Sequence, residues 1–303
     1  MAHEKQLAPL PRTFLTDEER GAIQRLAGLC NAYEGLDLKL ALEPPPDASL
    51  EKPGAFLYYA NDGDLVGFCS LDGSHEVEVC GMVHPHHRRH GIGADLLIAA
   101  QNACMARSAT RILLICEDAS QSGRAFVAAH QGQRRFGEHR MVLADSAKLR
   151  DIALHDDGLA LHQVTADDPA AVDTFVWVRA AVFGEELDDA RQRVSEGLPS
   201  TNERYYIALL DDKPVGCLKL VYEGAAVGIY AFGVLPERRR QGIGKRVLAR
   251  AVAIAEDQSR QRIWLEVEEE NVPALALYHS CGFQETTIYG YFELPFIENG
   301  TEV

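Results

Sequence analysis

No stretch of the 303-residue sequence is apolar over the about twenty residues that a bilayer-spanning helix needs, so membrane insertion is not expected. The N-terminus, MAHEKQLAPLPRTF, has neither the basic start nor the apolar core of a secretory signal, and the chain is expected to remain cytoplasmic. Cysteine is scarce and scattered. Cys30, Cys69, Cys80, Cys104, Cys116, Cys217 and Cys281 form no C-x-x-C pair and are odd in number, which suggests neither a zinc site nor a disulfide framework. No metal is expected, and the thiols read as buried. Basic residues are in deficit, 30 Lys and Arg against 45 Asp and Glu. The net charge of −15 argues against nucleic acid as a partner, since phosphates attract basic surfaces, and favours small cationic substrates.

Against that deficit two basic clusters stand out. HHRRHGIGADLL (His86–Leu97) and ERRRQGIGKRVL (Glu237–Leu248) each set arginines before Gly-Ile-Gly and a helical pattern. Gly91 and Gly242 are 242 − 91 = 151 residues apart, half the chain, which indicates a duplicated unit. A single core stops growing at roughly 250–300 residues, so the length also favours two domains.

The surroundings of the two clusters correspond. AFLYYANDGDLVGFCSL (Ala55–Leu71) and YYIALLDDKPVGCLKL (Tyr205–Leu220) read as β-hairpins, turned at Asn61-Asp62-Gly63-Asp64 and Asp211-Asp212-Lys213-Pro214. Strands then lead into each glycine loop, VEVCGMVHP (Val77–Pro85) and VGIYAFGVLP (Val227–Pro236). A glycine within each predicts a bulge or a close backbone approach, and proline ends the ladder. Helices over Gly93–Ala106 and Gly244–Asp257 follow from three- and four-residue apolar spacing. Next come strands RILLICE (Arg111–Glu117) and RIWLEVE (Arg262–Glu268), short helices, and closing strands near Glu138–Ala144 and Thr286–Glu293. A helix is expected over about Thr16–Ala32, with Pro44-Pro45-Pro46 breaking the chain after it. The polar segment Asp145–Gly158 places the boundary: a first domain over 1–147, a linker over 148–158 and a second domain over 159–303.

Free N–H groups at a helix N-terminus attract anions, glycine lets a phosphate approach them, and a preceding arginine adds bidentate donors. Gly242-Ile243-Gly244-Lys245 lacks the interval and the Ser/Thr of a P-loop, and Val247 stands where a dinucleotide fingerprint needs its third glycine. One such loop is as compatible with a glycine turn beside a solvated basic patch; two in the same strand–loop–helix context favour an anion site.

The pattern Arg-x-x-Gly-x-Gly after an antiparallel strand resembles the coenzyme A loop of the GNAT superfamily of N-acetyltransferases. Arg239-Arg240-Gln241-Gly242-Ile243-Gly244 and Arg88-Arg89-His90-Gly91-Ile92-Gly93 both match it. The second half adds a more specific element, LEVEEENVPALALYHSCGF (Leu265–Phe283), in which Asn271 reads as an N-cap, Pro273 as a first-turn residue and Gly282 as the left-handed C-terminal position. The resemblance implies a mixed α/β fold of two tandem GNAT-type domains, each a mostly antiparallel sheet with a splayed strand pair flanked by helices, and acetyl-CoA as co-substrate. It implies that a primary amine attacks the thioester directly, with Tyr278 as the acid for the departing thiolate. Backbone groups of Gly233, Val234 and Leu235, and of Val83 in the first copy, would face the coenzyme. Arg239 through Lys245 and Arg88 through Gly93 would hold its pyrophosphate, and Asn271 its pantetheine arm or the cap of its own helix. Glu223, Glu266 and Glu268 are candidates for the general base, with surface solvation as their competing role and a water relay as the alternative.

The first copy departs from this pattern. Counting back from Gly132 as the counterpart of Gly282, the tyrosine position falls on Ala128 and the asparagine position on Gln121, and no tyrosine occurs between Tyr59 and Tyr205. His130 is the only other group offered there as an acid. The first copy is expected to bind coenzyme A without catalysing. The tandem layout is similar to that of the mycothiol synthases, and the Asn271–Phe283 element to that of ribosomal-protein N-terminal acetyltransferases, so the acceptor is a small-molecule or peptide amine. Its pocket would be built from Asp167–Phe183 and Glu185–Glu196. A non-catalytic acyl-CoA-binding regulatory module is the alternative.

Overall fold

The computed structural model describes residues 8–42, 52–73, 75–155, 157–257 and 262–295. The expected break at Pro44-Pro45-Pro46 lies outside them. In chain order the elements are β1 (Leu10–Arg12), α1 (Asp17–Glu34), β2 (Ala55–Tyr59), β3 (Leu65–Asp72), β4 (Glu76–Val83), α2 (Ile92–Ala106), β5 (Arg111–Glu117), α3 (Gln121–Ala129) and β6 (Gln133–Leu143). There follow α4 (Ala147–Ala153), β7 (Leu159–Val164), α5 (Pro169–Phe183), α6 (Leu187–Gly197), β8 (Glu203–Leu210), β9 (Lys213–Glu223), β10 (Ala226–Val234), α7 (Ile243–Asp257), β11 (Arg262–Glu268), α8 (Val272–Ser280) and β12 (Phe283–Glu293). Local chemistry accounts for several ends. Thr16 and Glu19 form a reciprocal capping box on α1, which stops at Gly35 with φ 71°; Asp168 caps α5 with Pro169 in its first turn.

The chain divides into two compact units. The first comprises Met1–Gly137 and Thr287–Val303, with strand order β1-β2-β3-β4-β5-β12. Its sheet has a core on each face. Ile23, Leu26, Leu57, Phe68 and Met82 pack beneath α1, while Leu96, Ala100, Ile112, Leu114 and Val127 pack beneath α2 and α3. The second unit, Glu138–Thr286, has the order β6-β11-β10-β9-β8-β7. Val227, Ile229, Val247, Leu265 and Tyr278 form its core beneath α7 and α8, and Phe175, Val194, Tyr205, Ile207 and Cys217 pack beneath α5 and α6. In each unit one pair is parallel, β4 with β5 and β10 with β11, and every other pairing described is antiparallel.

These units differ from the domains expected from polarity. The chain enters the second unit at Glu138, inside β6, and returns to the first at Thr287, inside β12. Hydrogen-bond ladders decide this: Glu138–Val142 pairs with Glu268–Trp264, and Tyr289–Glu293 pairs with Glu117–Leu113. Each half of the sequence thus contributes its closing strand to the other half's sheet. Most of the expected linker is α4, whose Leu149 is fully buried in the second unit's core. All seven cysteines are buried and free. Among the described residues no helix is long and apolar enough to cross a membrane.

Candidate active site

The two glycine loops have nearly the same backbone. After a single turn of 3-10 helix (Pro85–His87, Pro236–Arg238), Arg88 and Arg239 are extended at φ −70° and −67°. Arg89 and Arg240 are left-handed at φ 66° and 63°, and Gly91 and Gly242 at 87° and 76°. A left-handed non-glycine residue costs about 1–2 kcal/mol, and its recurrence in both copies marks a shape built for a purpose. Successive N–H groups in such turns form an anion-binding concavity. The first intrahelical bonds come only from Asp95 N to Gly91 O and from Arg246 N to Gly242 O, so the N–H groups of Ile92, Gly93, Ile243, Gly244 and Lys245 have no carbonyl four residues back within the helix. Gly91 and Gly242 have open space where a Cβ would stand; one added at Gly93 would come 3.1 Å from Phe126, and at Gly244 3.2 Å from Leu277. Arg89, His90, Arg240 and Gln241 are exposed beside these turns.

Arg88 and Arg239 each bond within the protein. Arg239 Nε donates to Val234 O at 3.0 Å and its Nη2 to Val182 O, also at 3.0 Å, tying the end of β10 to the end of α5. Arg88 Nε donates to Val83 O at 3.1 Å, and its Nη1 reaches Ser122 Oγ at 3.0 Å and the Glu34 carboxylate. Both guanidiniums are tied within the protein, while Arg89 and Arg240 are exposed beside the turns. Ser120 and Ser122, with the Arg88 guanidinium, hold the Glu34 carboxyl below its usual pKa against the opposing loss of water around it.

The strands leading to the loops differ. From the parallel pair to the strand end β4 runs Val79 to Val83, whereas β10 runs Ile229 to Val234, one residue more. The extra residue is a bulge. The β9–β10 register shifts between Tyr230 and Gly233, with Ala231 at φ 46°, while β3–β4 pairs without a break from Asp72–Glu78 to Gly67–Val83. The expected bulge therefore exists in the second copy only. Gly81 instead answers a close approach, 3.3 Å from its would-be Cβ to Phe68 O. At the β10 bulge Gly233 lies under α5, its would-be Cβ 2.1 Å from Val182. Leu235, expected to face the coenzyme with its backbone, donates its N–H to Val215 O at 2.9 Å and is buried.

Asn271 caps α8 by accepting from Ala274 N at 3.3 Å, and Gly282 ends it at φ 92°. Tyr278 is only 7% exposed, its ring centroid 6.1 Å from those of both Phe232 and Phe283. Burial, and to a lesser degree the neighbouring Cys281, raises its phenol pKa, so the hydroxyl stays protonated. The matching helix α3 is capped by Ser120 and followed by Gln131 at φ 58°, each 151 residues before Asn271 and Gly282 (271 − 120, 282 − 131). The counterpart of Tyr278 is then Val127, and that of Asn271 is Ser120. The assignment to Ala128 and Gln121 is one residue off because it matched two glycines rather than two caps. His130 lies with its ring 4.4 Å from that of Phe126.

Of the base candidates, Glu266 is engaged by Arg140 at 2.9 Å, and Arg140 in turn lies 4.4 Å from the Trp264 ring. Glu223 and Glu268 are exposed. A cavity of about 420 Å³ lies in the first unit, away from Tyr278, between β4 and β5 and lined at one end by Arg88, Arg89, Gly91 and Gly93.

Sequence reasoning missed Ala231, Val182 and Glu34. The first had a signal, since the copies are offset by 150 residues at Val79 and Ile229 but by 151 at Gly91 and Gly242. Nothing local marks the other two.

A model of the acetyltransferase (GNAT) family matches residues 23–132 and 171–283. A mycothiol acetyltransferase of Kineococcus radiotolerans is 31% identical over 242 residues, 73% of this chain and 75% of that one. A ribosomal-protein bS18 alanine N-acetyltransferase of Escherichia coli is 38% identical over 60 residues, 20% of this chain and 40% of its own. The crystal structure of a GCN5-related N-acetyltransferase from Sphaerobacter thermophilus superposes with a TM-score of 0.71 at 19% identity, over 95% of this chain and 97% of that one. The two family matches cover the two copies of the strand–loop–helix unit in turn, and the chain belongs to the acetyltransferase (GNAT) family.

Proposed function

We propose that the second copy transfers the acetyl group of acetyl-CoA to a primary amine, and that the first copy holds coenzyme A without turning it over. The observation that carries this is the coincidence, in one copy only, of the β10 bulge and Tyr278. The bulge turns backbone toward the opening between β10 and β11, whose described pairing ends at Ile229 and Leu265. N–H groups there favour the charge that gathers on the carbonyl oxygen as the amine attacks. The pyrophosphate sits on the Gly242–Lys245 turn with Arg240 beside it. Tyr278, kept protonated by burial, gives its proton to the departing sulfur. The proton lost by the amine leaves through water, Glu266 being held by Arg140.

The acceptor side is the sheet face opposite α7, under α5 and α6, where Tyr230, Trp264, Lys219 and the Arg140–Glu266 pair lie. A polar, partly aromatic floor suits a hydrophilic amine. The mycothiol acetyltransferase relatives favour a small molecule over a peptide, because their similarity spans both copies whereas the peptide-modifying relative matches one segment. The test is coenzyme A release from acetyl-CoA with a panel of small-molecule and N-terminal peptide amines. Release with a small amine supports the reading, and release with peptides alone defeats that choice. No release with any amine, from protein that binds acetyl-CoA, would leave a regulatory module.

A further inference from the structure

The cavity of the first copy passes through its sheet. On the α2–α3 side Val79, Leu114 and Cys116 line it, continuous with the Gly91–Gly93 turn. On the α1 side Cys30, Leu38, Phe68 and Met82 line it. The polar groups at that end are already engaged: Lys39 Nζ bonds Tyr291 Oη at 2.5 Å, and Glu117 accepts from Asp37 N at 2.8 Å and Thr287 Oγ1 at 3.3 Å. The second copy is different at this place, where its sheet carries Tyr230, Lys219 and Glu266. Beyond the strands of the first copy a hydrophilic amine faces mainly apolar side chains, with Lys39 and Glu117 already bonded within the protein. A hydrocarbon chain meets an apolar wall there.

We propose that the first copy is a binding site for an acyl-coenzyme A whose acyl chain is longer than acetyl. The pyrophosphate rests on the Gly91–Gly93 turn, the pantetheine arm runs between β4 and β5, and the chain fills the pocket under α1. The inference rests on reading that turn as a coenzyme A site, and it adds the class of acyl group. A volume of about 420 Å³ lies within the range of small-molecule pockets, roughly 300–1,000 Å³. With Val127 in place of the tyrosine and no bulge in β4, the ligand is held and not consumed.

The test is calorimetric titration of the full chain carrying Gly244→Asp, which removes the second loop, with coenzyme A, acetyl-CoA and octanoyl-CoA. Octanoyl-CoA should bind at least about tenfold more tightly than acetyl-CoA, since each fully buried methylene contributes up to about fourfold. Cys30→Phe, which fills the pocket under α1, should abolish that gain while coenzyme A itself still binds. Octanoyl-CoA binding no more tightly than acetyl-CoA would overturn the inference and leave the coenzyme site standing. Failure of all three ligands to bind would overturn the reading of the loop, and the inference with it. Should Gly244→Asp not fold, the same comparison is made on the otherwise unaltered chain, where Cys30→Phe must remove the tighter octanoyl-CoA phase alone for the inference to stand.

Discussion

At the scale of single residues, chemical type was readable and availability was not. Tyr278 was singled out as an acid by its helix, and its burial among Phe232 and Phe283 adds that its pKa lies above the ordinary phenol value of about 10. An acid acts only while protonated, so this group should cause no fall in kcat on the alkaline side up to about pH 10. Tyr278→Phe is expected to lower kcat by about 10²–10⁴-fold with little change in acetyl-CoA affinity; unchanged turnover when chemistry limits the rate would make Tyr278 a packing residue. Arg239 was legible as a cation, but nothing local reveals that its guanidinium reaches Val234 O and Val182 O. Arg239→Ala should therefore lower thermal stability, by about 1 kcal/mol for bonds of this exposure. A lost coenzyme affinity at an unchanged melting temperature would restore the phosphate role.

At the scale of elements, strand and helix identities followed from periodicity and caps, and the details that separate the copies did not. The bulge in β10 is one residue in a strand of nine, visible in the sequence only as a change of offset from 150 to 151. Deleting Ala231 gives β10 the length of β4. We expect the variant to keep its circular dichroism and coenzyme A binding while losing about 10²-fold or more in turnover, the scale of a lost oxyanion donor; retained turnover would show that the bulge is dispensable. Asp157 holds α7 to the start of β7, with Arg246 at 2.5 Å and Arg250 at 2.6 Å. The bond from Arg246 comes first among the causes that lower its pKa to about 2; Leu159 N–H and the Arg250 charge also lower it, against the loss of water. A depressed carboxyl pKa stabilises the fold above the unfolded value of 3.8, and that contribution is lost as pH falls from there toward about 2. Asp157→Asn should remove it, by about 1 kcal/mol or less after solvent screening. Melting temperatures of parent and variant should converge toward pH 2, and a constant gap from pH 7 to pH 2 would exclude the mechanism.

At the scale of the whole molecule the duplication was plain and the chain path was hidden. Halves cut at the boundary suggested by polarity, 1–147 and 159–303, would each lack a strand of their own sheet. The first would leave β5 unpaired where Tyr289–Glu293 belong, exposing Leu113 beside the missing Tyr289 and Tyr291; the second would leave β11 without Glu138–Val142. Unpaired edges of this kind associate. Each half alone should aggregate or remain unfolded, and co-expression should restore a soluble pair. Two monomeric, cooperatively melting halves would refute the exchange of strands.

Glycine spacing, turn residues, helix caps and alternating apolar runs act within a few positions of the chain, and they determined from the sequence alone the tandem repeat, the two glycine loops and the helix that carries Tyr278. Only the tertiary structure decided which sheet takes each closing strand, what the guanidiniums of Arg88 and Arg239 bond to, and that the cavity beside the first glycine loop and the tyrosine lie in different copies. These depend on contacts between residues far apart in sequence, such as Arg239 with Val182 and Tyr289 with Glu117, where burial and hydrogen-bond geometry, not the identity of neighbours, select the partner.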